Sequence, residues 1–191
     1  MKTGRKNNNS GFSLVELVIV IAIMAVLVGV MATSITSLTG RRVRKCADEI
    51  VTTLERTRVL TLGKEQNQVE CVISYDTDTK EYKAQILQGG TVVTDRILGK
   101  DPIKITVYFE GNSTEYLLTD LMGSDSLLPY VSTSKGLHLV FNRASGAFEK
   151  NTTTLTSGST DMGYCQRIDV SNGTRTIEIT TVGKTGKILT K

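Results

Sequence analysis

The chain has 191 residues, enough for one ordinary domain or for a domain joined to an anchor. Seventeen Gly against two Pro exclude a collagen-like or Pro-rich disordered chain, and three Cys exclude a small disulfide-stapled scaffold. One His and no Trp leave few parts for a zinc site or a His-based catalytic triad. The net charge of +4 and pI of about 9.0 suggest an anionic partner, nucleic acid or a membrane surface, until the charges are placed along the chain.

The opening segment, MKTGRKNNNSG, carries Lys2, Arg5 and Lys6 and no acid. From Leu17 to Gly40 there follow 24 residues without a charge. As a helix rising about 1.5 Å per residue they span about 36 Å, more than the roughly 30 Å hydrocarbon core of a bilayer. The run is apolar all round, which separates it from an amphipathic surface helix and predicts a membrane span. Three readings compete for it. A plain single-pass anchor needs nothing further. A secretory signal peptide has a candidate small-residue cleavage site at Val30-Met31-Ala32, but its apolar region runs only about 7–15 residues. The third reading starts from Glu16, just inside the apolar run. A carboxylate in a membrane helix costs on the order of 2.5–3.5 kcal/mol at mid-bilayer, less near the edge, and calls for a partner.

Gly11-Phe12-Ser13-Leu14-Val15-Glu16, after a short basic leader and before a long apolar run, resembles the class III signal of type IV pilins and pseudopilins. The resemblance implies cleavage by prepilin peptidase between Gly11 and Phe12, N-methylation of Phe12, and Glu16 as the fifth mature residue, the family's glutamate position. Ser13 stands where Thr is commoner. The chemistry suits the spacing: Gly11 presents no side chain to obstruct the protease, and a cut on the cytoplasmic side leaves the helix attached. The new ammonium at Phe12 stays cationic after methylation. In family assemblies the glutamate pairs with a neighbouring subunit's amine, an attraction much stronger in a low-dielectric setting than in water. Lys2, Arg5 and Lys6 are balanced by Arg41, Arg42, Arg44 and Lys45, so the N-in, C-out orientation follows from the resemblance, not from charge.

Arg41 to Leu62 contains no Gly or Pro, and Val43, Ala47, Ile50 and Leu54 recur at helical spacing, which predicts an amphipathic helix stopped at Gly63. The basic cluster 41–45 reads as an anchor at the lipid phosphate layer. Beyond Gly63 the period becomes two. Val69 to Tyr75, Tyr82 to Ile86, Ile103 to Phe109 and Leu137 to Phe141 predict strands. Tyr164 to Val170 and Thr174 to Val182 flank Asn172-Gly173, the strongest hairpin signal, and Lys187 to Thr190 adds a short last strand. Asn151–Gly163 reads as an exposed loop; with Leu121–Ser134 it forms the candidate variable surface.

Leu137 to Gly146 (LHLVFNRASG) followed by Gly186-Lys187 near the end resembles minor pseudopilins of the H type, with Arg143-Ala144 where that turn often has proline. Other chemistry is weak. Asp76-Thr77-Asp78 opens like a calcium loop, but Glu81 and Leu87 occupy the sixth and twelfth positions, where Gly and an acid belong. Gly183-Lys184-Thr185 lacks the first Gly of a phosphate loop, because Glu178 stands there, and it joins two strands. His138 alternates with Leu137 and Leu139 and is expected on the surface. Cys71 and Cys165 are a possible disulfide beyond the membrane, with free buried thiols the alternative for them and for Cys46.

These readings converge on an α+β chain: a long N-terminal helix, half transmembrane, packed on an antiparallel β-sheet head, type IV pilin-like. The divisions are a cleaved leader (1–11), a transmembrane and filament-core helix (12–40) and an extracytoplasmic head (41–191; helix 41–62, β-rich 67–191). The expected role is a minor (pseudo)pilin in the cytoplasmic membrane, a structural subunit and not an enzyme, for type II secretion, pilus assembly or DNA uptake. The alternative is a membrane-anchored extracytoplasmic binding protein. Expected partners are prepilin peptidase, other pilin-like subunits, the membrane and, indirectly, an assembly platform and ATPase. No cofactor, metal or direct nucleic-acid binding is expected. Loss of 1–11 would remove three of 23 basic residues and none of 19 acidic ones, leaving +1, so most of the basicity belongs to the leader.

Overall fold

The computed structural model describes residues 13–63, 68–111, 113–120, 136–150, 152–154, 159–161 and 163–191, with backbone alone at 31–39, 152–154 and 159–161. One helix, α1, runs Leu14–Leu62, and the chain divides within it into two compact units, Met1–Thr39 and Gly40–Lys191.

In the first unit, the described part of α1 exposes its aliphatic side chains on every side, from Leu14 through Val30. Among the described residues no helix is long and apolar enough to cross a membrane; the uncharged run continues into 31–39, where only the backbone is described.

In the second unit α1 buries one stripe: Val43, Cys46, Ala47, Ile50 and Leu54, then Thr53, Thr57 and Thr61. The threonines can be buried because each hydroxyl donates to the carbonyl four residues back: Thr53 to Glu49 (2.7 Å), Thr57 to Thr53 (2.7 Å) and Thr61 to Thr57 (2.9 Å). Beyond the helix the chain forms strands β1 (Val69–Asp76), β2 (Glu81–Gln88), β3 (Thr91–Lys100), β4 (Lys104–Phe109), β5 (Tyr116–Leu117) and β6 (Leu137–Val140). There follow β7 (Thr152–Thr154), β8 (Ser159–Asp161), β9 (Cys165–Ser171), β10 (Thr176–Val182) and β11 (Lys187–Thr190). One antiparallel sheet has the order β3-β2-β1-β6 and a second β11-β10-β9-β4-β5, with β7 and β8 paired apart.

A single core joins the helix to both sheets. Ile50 and Leu54 from α1, Ile73 and Leu139 from the first sheet, and Ile105 and Ile168 from the second belong to one buried cluster. Burying each such side chain contributes on the order of 1.5–3 kcal/mol. The fold is α+β, a helix packed on antiparallel sheets, as the change of period at Gly63 predicts.

Three strand features depart from expectation. The long strand β3 was not anticipated, because Val92, Val93 and Ile97 stay exposed and no apolar alternation marks it. It is held by backbone pairing to β2 along an edge, with register shifts between Tyr82/Lys83 and Ile86/Leu87. The two-residue β5 was likewise unforeseen. Within the expected loop 151–163, β7 and β8 pair through Thr153 and Thr160, since threonine fits a strand even where Ser and Gly signal a loop. The segment 121–135 lies outside the described residues.

Candidate functional site

The start of α1 is where the sequence concentrates its signal. Gly11 and Phe12 lie outside the described residues. Ser13 is the N-cap: its carbonyl accepts the first helical hydrogen bond, from the Leu17 N–H (3.2 Å), and its Oγ accepts the Val15 N–H (3.3 Å). Glu16 reaches back, and its Oε2 accepts the Ser13 N–H at 3.0 Å. Together these form a capping box, S-x-x-E, in which the third helical residue ties down the cap's own amide. The sequence reading found Glu16 by family resemblance and missed this local role, although Ser13 followed three residues later by Glu16 spells it. Within one chain, then, the carboxylate already holds the backbone at the point where a cut after Gly11 would place a new amine one residue away.

The turn after Phe141 and the turn between β10 and β11 are brought together at the far end of the head helix. Arg58 Nε donates to the Gly146 carbonyl (3.1 Å) and Nη2 to the Thr185 carbonyl (3.0 Å). The turn after Phe141 lacks proline, and Asn142 does its work: Oδ1 accepts the N–H groups of Ala144 (3.0 Å) and Ser145 (3.2 Å). Phe141 and Phe148 close that turn with ring centroids 4.3 Å apart, and the Phe148 N–H donates to the Gly183 carbonyl at 2.9 Å. Arg58 is therefore a clamp on two turns that are distant in sequence. Nothing in the periodicity of α1 singled it out, because it lies beside the buried stripe.

Cys71 and Cys165 are free, so the possible disulfide is not formed, and Cys46 is free as well. Cys71 lies in β1 of the first sheet and Cys165 in β9 of the second, and all three thiols are buried in the common core. Burial pushes each of them up to about 12, which leaves them neutral and inert at ordinary pH. His138 is fully buried, not on the surface where its alternation with leucine predicts it, with Nδ1 3.1 Å from Glu70 Oε2. Both faces of β6 are covered, so alternation with leucine does not place the intervening residue in solvent.

Asp76 builds a hairpin turn. Oδ1 accepts the N–H groups of Asp78 (3.0 Å) and Thr79 (3.2 Å), and Oδ2 meets Lys83 Nζ at 3.0 Å. Lys83 first, then the turn amides, hold its carboxyl down at about 2. Among the described residues no cluster of His, Cys, Asp and Glu could hold a metal ion. Gly183 to Gly186 form the turn between β10 and β11, as their position between two strands required.

Residues 6–32 match the family model of the prokaryotic N-terminal methylation motif. The chain thus carries the class III signal, consistent with the type IV pilin and pseudopilin family; the match covers the first turns of α1 and does not reach the second unit. No significant match was found among curated proteins or among solved structures.

Proposed function

We propose that this chain is a type IV pilin-like minor (pseudo)pilin, a non-catalytic structural subunit of a short filament that serves secretion, pilus assembly or DNA uptake. The observation that carries the reading is the class III signal directly ahead of a helix whose aliphatic residues, Leu14 to Val30, are exposed all round. Such a surface needs either lipid or neighbouring helices of the same kind. Both are supplied in turn: the cytoplasmic membrane holds the precursor, N-terminus inside and head outside, and the filament core receives the processed helix. Prepilin peptidase cuts between Gly11 and Phe12, and Phe12 is methylated. Cys71 and Cys165 take no part in this role.

Glu16 has two states in this reading. In the single chain it caps its own helix through Ser13. In the filament its charge meets the methylated amine of a neighbour, and an apolar surrounding makes leaving that charge unpaired costly. Replacing Glu16 by Gln keeps a capping acceptor but removes the charge, whereas Glu16→Ala removes both, at a cost to the helix start of about 1 kcal/mol. Both variants are expected to be cut after Gly11 and to fail in filament incorporation. Normal incorporation of Glu16→Gln would reduce the residue to a cap and refute the pairing role. Mass analysis of the mature N-terminus tests the rest: methyl-Phe12 supports the subunit, while an intact Met1 or a start at Thr33 would favour a tethered binding protein.

A further inference from the structure

The cations at 41–45 are joined in space by others from the far end of the sequence. Gly40 packs against Arg175: a Cβ built there lies 3.6 Å from Arg175 Nη1 and 3.7 Å from its Cδ. Arg175 belongs to the β9–β10 turn, which Asn172 fixes by accepting the N–H groups of Thr174 (3.1 Å) and Arg175 (2.9 Å) on Oδ1. Lys104, the first residue of β4, is in register with Ser171, the last residue of β9, beside the same turn. Its neighbour Ile103 lines a cavity of about 310 Å³ with Arg42, Lys45 and Lys100.

Arg41, Arg42, Lys45, Lys104 and Arg175 are therefore exposed cations gathered where the head begins. The ion pairs nearby engage other residues: Arg44 with Asp48 at 4.0 Å and Lys100 with Glu81 at 2.7 Å. Among the described residues none of the five cations forms an ion pair. Each is exposed, and Arg41 follows without a break on the uncharged run ending at Gly40.

We infer that this collar, with the β9–β10 turn and Lys104 as its second point of contact, docks the head on an anionic phospholipid surface. The inference rests on the membrane-anchored reading proposed above. A helix held by residues 41–45 alone leaves the head free to swivel about that segment. A second contact supplied by Lys104 and Arg175 fixes which side of the head faces the bilayer before assembly. A cation near an anionic bilayer changes the docked-to-undocked ratio by about fivefold, so reversing two is expected to lower it by well over tenfold.

The test uses the full chain with Thr174→Cys, labelled at that thiol with a fluorophore. The three native thiols stay unlabelled because burial keeps them neutral. The protein is reconstituted into vesicles of phosphatidylcholine, or of phosphatidylcholine with one third phosphatidylglycerol, each containing a headgroup-attached quencher. Strong quenching is expected only with phosphatidylglycerol, lost in high salt and in Lys104→Glu/Arg175→Glu. It should persist in Lys184→Glu, whose turn lies at the opposite end of β10. Protection of the native thiols reports that each variant is folded. Equal quenching in neutral vesicles or in the double variant overturns the docking contact while leaving the anchor intact. Failure of the chain to float with vesicles overturns the anchor reading, and this inference with it. Duplex DNA binding that the double variant loses, without any lipid dependence, would assign the collar to nucleic acid instead.

Discussion

Gly186→Ala should be among the most damaging single-methyl changes in the head. A Cβ at Gly186 would lie 1.8 Å from the Gly146 carbonyl oxygen and 2.9 Å from its carbon, so the two turns must move apart by more than an ångström. The residue also has φ of +66°, where a side chain costs about 1–2 kcal/mol. Separating the turns breaks the geometry that lets Arg58 reach Gly146 and Thr185 together, and a hydrogen bond to a charged group is worth about 1.5–3 kcal/mol. The strain and one lost bond together amount to about 2.5–5 kcal/mol, a large part of a typical total of roughly 5–15 kcal/mol. Gly173→Ala is the control. Its φ is +84°, yet nothing lies within 4 Å of the added Cβ, so only the backbone strain remains. Urea unfolding of the full chain in detergent, followed by far-UV circular dichroism, should place the Gly186 variant at least about 1.5 kcal/mol below the Gly173 variant. Equal losses would show that the turns are not held against each other and that the clamp is wrong.

Arg58→Lys should destabilise the head by about 1.5–3 kcal/mol in the same assay, because an ammonium cannot span two carbonyls as the guanidinium fork does; an unchanged midpoint would remove the clamp. The thiols Cys46, Cys71 and Cys165 should resist alkylation at mildly alkaline pH in the native protein and all react after unfolding; fast native labelling of any would contradict its burial. Asp76 is held at about 2, against about 3.9 in an unfolded chain, so it supports the fold above roughly pH 4 and loses that support as pH falls toward 2. Asp76→Asn should therefore flatten the acid limb of the stability curve between those values, and an identical acid limb in the variant would count against the Lys83 and turn-amide contacts.

Legibility followed the range of the interaction. The stripe Val43, Ala47, Ile50 and Leu54 shows in the sequence because helical periodicity is local, and the Asn172-Gly173 hairpin shows because its turn chemistry is. Strand β3 escaped because it is an edge whose place depends on hydrogen bonds to β2, not on its own side chains. His138 was misplaced because period-two reasoning assumes one wet face, and β6 has none. The methylation motif at residues 6–32 was readable because it is a linear segment.

The sequence by itself determined the methylation motif, the uncharged apolar run, the helix and the α+β class, since each rests on contacts within a few residues or on continuous apolar length. Only the tertiary structure decided that Arg58 binds two remote turns, that Arg175 packs against Gly40 beside the basic run, and that the three thiols are buried and free. Those facts depend on which strands neighbour which, and strand order is set by how two sheets share one helix face, a global packing solution that no local pattern encodes.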